Sequence, residues 1–135
     1  MSKIKQKSEF NLAAAKLLIE NNYYAPSVHC SYYSCFQLLK YTIKNFCGLD
    51  YDMQSKNISS SKLHTHQYII NYITGKLKEK VNFQESRNFK LKIKDLKQFR
   101  LESDYENIEI GFEKSNKAYR IANEIRDEIN RDFRV

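Results

Sequence analysis

A chain of 135 residues with a formal net charge of +7 fits one domain, residues 1–135, and can bury a core without metal or disulfide staples. One proline and three glycines are few for a sheet protein, and apolar residues recur at helical spacing, so an all-α fold is predicted. No stretch approaches the roughly 18 consecutive apolar residues of a membrane span, and the charged start lacks the features of a secretory signal, so we expect a cytoplasmic protein.

Two helices are predicted in the first third of the chain. The first covers about 4–21, where apolar residues follow the i, i+3, i+4, i+7 spacing. The second covers about 26–47, because Pro26 suits a first helical turn and Gly48 suits a C-terminal cap. This second helix is apolar almost all the way round, which predicts a central position in a bundle. Its apolar surface also predicts a homodimer that covers what one small bundle leaves exposed.

The rest of the chain is predicted to hold a loop and three helices. The polar, aperiodic stretch 49–61 is expected to be a loop. Helices are expected at 62–77, 86–102 and 108–131. Residues 89–94 alternate like a strand, but no second strand is available to pair with them, so we prefer the helix. The prediction is an up-and-down bundle of four to five helices, with the second and last helices central.

The charges are unevenly distributed along the chain. Residues 76–100 contain nine basic and three acidic side chains, whereas residues 102–113 contain five acidic and no basic ones. A positive face of this kind suits nucleic acid, a nucleotide or an acidic protein. The lysines at 90, 92, 94 and 97 fit either a track for phosphates or a solvated helix surface.

Two stretches carry a resemblance to a known family. The first is NYYAPSVHCSYYSCF at 22–36, with its pair Tyr32 and Tyr33, and the second is RLESDY at 100–105, which is similar to an Arg-x-x-Ala-Asp-Tyr signature. A histidine, His64 or His66, lies between them. In order and spacing, over nearly the whole chain, this set resembles the HEPN family.

The resemblance implies a bundle of four or five helices that forms two-fold dimers. In ribonucleases of the family, an arginine followed by four to six residues and then a histidine lies near the dimer interface. Arg100 takes the arginine position here, but positions 105–107 are Tyr105, Glu106 and Asn107. The chain departs from the ribonuclease pattern at the proton-transfer residue. Enzyme activity is therefore left open. If the protein is active, it would be a metal-independent ribonuclease, and the candidate catalytic residues are Arg100, Tyr105 and His64.

The candidate site residues each have a structural and a functional interpretation. Arg100 and Asp104 are four residues apart and can form an ion pair, which would either lock the helix end or help to hold a phosphate. Tyr32 and Tyr33 point about 100° apart on a helix, so one can face the core while the other stacks on a base. The RNA- or nucleotide-binding candidates are Tyr32, Tyr33, Lys94, Lys97, Arg100, Asp104 and Tyr105.

The histidines and cysteines do not indicate a metal centre. His64 and His66 are two residues apart, which does not suit shared ligation on a helix, and His29 lies far from both in the sequence. His29 or His64 could replace the missing family histidine. Three cysteines without zinc spacing indicate free thiols in a reducing compartment. No Gly-rich phosphate loop is present, so neither a metal nor a cofactor is expected.

Two functional hypotheses follow, with a purely structural helical dimer as a third. The first is a HEPN-type RNA- or nucleotide-binding protein of a prokaryotic defence, stress or toxin–antitoxin system, with ribonuclease activity left open. The alternative is a non-catalytic adaptor or dimerisation module that partners a minimal nucleotidyltransferase. Partners are thus a second copy, RNA or a nucleotide, or that enzyme, and no membrane.

Overall fold

The computed structural model describes residues 2–135, which form six helices and no strand. The helices are α1 (Lys3–Glu20), α2 (Tyr24–Cys47), α3 (Tyr51–Ser60), α4 (Thr65–Leu77), α5 (Phe83–Tyr105) and α6 (Phe112–Phe133). The all-α prediction is confirmed, but the expected number of four to five helices is too low. Within residues 2–135, no helix is both long enough and apolar enough to cross a bilayer.

The additional helix is α3, in the segment that was expected to be a loop. Asp50 caps its start, because the carboxylate accepts a 2.9 Å hydrogen bond from the backbone N–H of Met53. The buried Gln54 side chain donates from Nε2 to the carbonyl of Leu49 at 2.9 Å and to that of Lys40 at 3.3 Å. A cap and a tertiary anchor hold this helix, and neither produces the apolar periodicity on which the sequence prediction relied.

The strand-like stretch 89–94 lies inside α5. This helix begins at Phe83, three residues earlier than predicted, because Asn82 caps it by accepting a 2.8 Å hydrogen bond from the Glu85 N–H. Phe89 and Ile93 are fully buried, as the helical interpretation requires. Conversely, α6 begins only after Gly111, four residues later than predicted.

The second helix is central, as predicted, since α2 contacts α1, α4, α5 and α6. These neighbours cover most of its apolar residues, so the expected excess of exposed apolar surface on α2 is not found. Large exposed apolar side chains lie mainly elsewhere. They include Phe10 and Leu17 on α1, Phe83 and Leu91 on α5, and Tyr23, Tyr105, Ile108 and Phe112 at the ends of α2, α5 and α6.

A buried arginine of α6 joins this helix to α1 and α2. Arg126 of α6 donates from Nη1 to the backbone carbonyl of Ser34 at 3.0 Å and to the hydroxyl of Ser8. Burial lowers the pKa of this guanidinium. Because buried charge without partners is costly, these contacts restrict how α2 can rotate against α1 and α6. The rotation of α2 in turn decides which of its side chains face α5.

Candidate functional site

Arg100 lies at the centre of a polar cluster between α5 and α2. It is only 8% exposed. Its Nη2 donates to the hydroxyl of Tyr33 at 2.8 Å and to that of Tyr105 at 3.3 Å. The guanidinium carbon lies 5.1 Å from the ring centroid of Tyr33 and 5.3 Å from that of Tyr105. Two phenols therefore contact one guanidinium both through hydrogen bonds and through their ring faces.

Asp104 compensates the charge of Arg100. Its Oδ2 lies 3.0 Å from Nε of Arg100, so the two side chains form an ion pair. The Nε–H bond does not point towards this oxygen well enough to make a hydrogen bond. Without this carboxylate, a guanidinium so little exposed would be strongly destabilising. Nη1 of Arg100 donates no hydrogen bond within residues 2–135, so its N–H groups are available to a ligand.

The same carboxylate also holds a histidine. Nδ1 of His29 donates to Oδ2 of Asp104 at 2.8 Å, and the His29 ring centroid lies 4.6 Å from that of Tyr33. The His29 side chain is 45% exposed. Because a carboxylate can only accept, Nδ1 carries the proton, and Nε2 is the ring nitrogen left for other partners.

The sequence candidates fall into two groups. Tyr33, Asp104 and Tyr105 contact Arg100 or its partners, as does His29. We call these five residues the Arg100 cluster. The remaining candidates lie outside it: Tyr32 is fully buried, His64 precedes the first residue of α4, and Lys94 and Lys97 line a groove between α4 and α5. Within residues 2–135, His64 makes no side-chain contact with the Arg100 cluster.

The sequence identifies His29 only as a possible substitute for the missing family histidine. It does not predict the pairing of His29 with Asp104. A signal was present, because His29 and Tyr33 are four residues apart and so lie on one face of a helix. The 75 residues between His29 and Asp104 carry no such local signal.

Behind the guanidinium, the fully buried Tyr32 pairs with the partly exposed His66. The Tyr32 hydroxyl and Nδ1 of His66 are 2.6 Å apart, and the guanidinium carbon of Arg100 lies 5.8 Å from the Tyr32 ring centroid. Burial and the positive charges of Arg100, Lys97 and Lys40 lower the pKa of His66 to about 4. Burial also raises the pKa of Tyr32. At neutral pH we therefore assign the proton to the phenol, which donates to a neutral imidazole.

Within residues 2–135, no group of three or more His, Cys, Asp or Glu side chains is arranged to hold a metal ion. Cys30, Cys35 and Cys47 are free thiols, and burial raises the pKa of Cys35 to about 12. A thiol that keeps its proton so firmly is a poor nucleophile.

The described residues form six helices with α2 at the centre, and an arginine, two phenols, a carboxylate and an imidazole meet where α2 adjoins α5. The chain is thus a helical-bundle protein with a polar site at this junction. The model of the HEPN domain family matches residues 1–132, so the chain belongs to that family and the resemblance is confirmed. Comparisons with curated proteins and with solved structures gave no match. Family membership indicates a function related to RNA or to nucleotide binding in the broad sense, and HEPN domains often dimerise.

The pair of Tyr32 and His66 generates a pH prediction. The unfolded chain protonates His66 near pH 6.5, whereas the folded protein resists protonation down to about pH 4. The unfolded state then binds more protons between these values, so the contribution of His66 to stability is complete above about 6.5 and falls as the pH drops towards 4. We expect His66→Gln, whose amide oxygen can still accept from Tyr32, to lose less stability than the wild type between pH 7 and 4.5.

Urea unfolding at the two pH values measures this difference. His64→Gln is the matched control, because His64 is exposed, and it should behave like the wild type. Equal losses in the wild type and in His66→Gln would show that His66 is not the group responsible.

Proposed function

We propose that this protein binds RNA or a nucleotide through the Arg100 cluster and serves a prokaryotic defence, stress or toxin–antitoxin system. The observation that carries the proposal is the pairing of a nearly buried guanidinium with an exposed aromatic ring. Arg100 is 8% exposed, whereas Tyr105, which contacts it, is 71% exposed. Every nucleotide carries a phosphate and a base on the same sugar. The Arg100 guanidinium suits the phosphate, and the Tyr105 ring suits the base.

The chemistry of the two residues supports this assignment. A guanidinium recognises phosphate through several donors held in a plane, and Arg100 has Nη1 without a hydrogen bond inside the described chain. The Tyr105 ring has a face on which a base can stack, and stacking contributes about 1–3 kcal/mol per base. Tyr33 fixes the guanidinium through its hydroxyl. Tyr32 is fully buried and cannot stack on a base, so we assign it the role of holding His66 through its hydroxyl.

Any proton transfer at this site we assign to His29. This chain has Tyr105 at the first position where the ribonuclease pattern of the family can have its histidine, and a phenol does not replace an imidazole in proton transfer at neutral pH. His29 is oriented by Asp104 through Nδ1, which directs Nε2 to other partners, as acid–base catalysis by histidine requires. His64 has no comparable partner in the described residues.

The test is a substitution of Arg100 to Gln, with nucleotide and oligoribonucleotide binding measured by fluorescence anisotropy. We expect affinity to fall at least tenfold, since about 1.4 kcal/mol of phosphate interaction is lost. Arg120→Gln, an exposed arginine on α6, makes the same charge change and should leave affinity within about twofold.

Stability must be measured alongside binding, because Arg100→Gln removes the donor to the Tyr33 hydroxyl and leaves Asp104 with His29 alone, at a cost of about 1–3 kcal/mol. Arg100→Lys keeps the positive charge but loses the planar fork, so it should fold and still bind weakly. Unchanged affinity in a folded Arg100→Gln protein contradicts the proposal. Unfolding of both variants would instead make Arg100 a purely structural residue.

A second candidate, a dimerisation or adaptor module, is favoured by the apolar residues beside the cluster. Tyr23, Ile108 and Phe112 are 61%, 50% and 53% exposed. The Tyr24 and Phe112 rings pack edge to face at 6.0 Å, which brings the start of α6 against the start of α2. Exposed apolar residues in this number often mark an interface. A second copy would place two Arg100 clusters near one seam, and a minimal nucleotidyltransferase is the other partner that the family resemblance implies.

Sedimentation of the double variant Ile108→Ser/Phe112→Ser tests the dimer. We expect the wild type to sediment as a dimer and the variant as a folded monomer, because apolar burial drives association. The control is Phe10→Ser/Leu17→Ser, which removes two apolar residues of α1 that are more exposed than Ile108 and Phe112, and it should remain dimeric. A wild-type monomer at tens of micromolar, or dissociation only in the control, would refute this interface.

A further inference from the structure

Three lysines on one face of α5 line a groove that the Arg100 cluster does not include. Lys90, Lys94 and Lys97 follow the i, i+4, i+7 spacing and face Gln67 and Asn71 of α4 across a cavity of about 290 Å³. Ile70 completes the lining. The groove therefore combines three ammonium groups with two amides, all of which can donate hydrogen bonds to phosphate.

The charge of this groove is not neutralised by the protein. None of its three lysines forms an ion pair within residues 2–135, and α4 contains no acidic residue. Lys92, on the other face of the same helix, lies 2.6 Å from Glu128 and 3.6 Å from Glu124 of α6. Asp95 is the single carboxylate between Lys90 and Lys97 in sequence, and it pairs with neither. Lysines that pack against α6 are compensated, whereas those that face α4 are not.

The groove runs towards the Arg100 cluster. Arg100 follows Lys97 by three residues on α5, and both charges act on His66. From Lys90 to Arg100 the helix rises about 15 Å, which equals about four phosphate-to-phosphate intervals of a stacked strand. On the far side of Arg100, the nearby carboxylate of Glu102 is paired with Lys114. The uncompensated charges of Lys90, Lys94 and Lys97 thus form a line along α5 that leads to Arg100, whose own charge is paired with Asp104.

We infer that the groove between α4 and α5 is a phosphate track that makes a single-stranded polyribonucleotide, instead of a mononucleotide, the preferred ligand of this protein. The inference rests on the proposed function of the Arg100 cluster and extends it. One nucleotide occupies the Arg100 cluster, with its base on Tyr105. The neighbouring phosphates lie along Lys97, Lys94 and Lys90. Gln67 and Asn71 donate to phosphate oxygens or to base edges without adding charge.

The test compares a fluorescein-labelled 12-nucleotide oligouridylate with uridine monophosphate as its competitor, over a series of salt concentrations. For the wild type we expect the oligomer to bind at least tenfold more tightly. The triple variant Lys90→Ala/Lys94→Ala/Lys97→Ala should lose this preference while it keeps its affinity for uridine monophosphate. Because each phosphate contact on a single strand contributes about −0.7 to the slope of log K against log salt, the slope should become less steep by about 2.

Lys3→Ala/Lys7→Ala/Lys16→Ala is the matched control. These three lysines are exposed on α1, which packs against α2 and α6, and their removal changes the net charge equally. We expect the control to keep the oligomer preference and nearly the whole salt slope. An equal loss in both triple variants would mean that only net charge matters, and the track would be overturned.

The remaining outcomes separate the track from the proposed function. If the wild type binds monomer and oligomer equally, the track is wrong while the Arg100 cluster still has a ligand. If the wild type binds neither ligand, the proposed function itself fails. A deoxyuridylate 12-mer bound as tightly as the ribo-oligomer would keep the track but remove its preference for RNA.

Discussion

The charge of Arg100 sits where little water reaches it, and the surrounding structure is arranged to compensate that charge. One carboxylate, Asp104, provides the counter-charge from the next turn of α5. Two phenols supply hydrogen bonds and ring faces, one from α2 and one from the end of α5. Because a buried guanidinium tolerates few arrangements of partners, this single requirement fixes the register of α5 against α2.

The partners of Arg100 also determine the chemistry of its neighbours. Asp104 is shared, so His29 is drawn into the cluster and held with Nε2 free. Behind the guanidinium, the same positive charge helps burial to keep His66 neutral, and the neutral imidazole then accepts from Tyr32. The Arg100 cluster therefore lies against the uncharged pair of Tyr32 and His66, whereas Tyr105 and His29 form its exposed side.

Sequence patterns were sufficient for the helical class, the central second helix and the four-residue pairing of Arg100 with Asp104, because each depends on local periodicity. They failed for α3, which depends on a cap and on the buried Gln54, and they missed the pairing of His29 with Asp104 across 75 residues. The lysines of α5 look alike in the sequence, but in the structure they lie in two different environments, one against α6 and one against α4. Lys92 faces carboxylates and Lys94 faces amides, a difference set by which helix packs on each face.

The most direct measurement of the central claim is nuclear magnetic resonance of the arginine side chains during titration with uridine monophosphate. The Nε–Hε signal of Arg100 should shift saturably, and the ring signals of His29 should follow with the same dissociation constant, since both side chains contact Asp104. Saturable binding that shifts other arginines and leaves Arg100 and His29 unchanged would contradict the claim that this guanidinium is the centre of the ligand site.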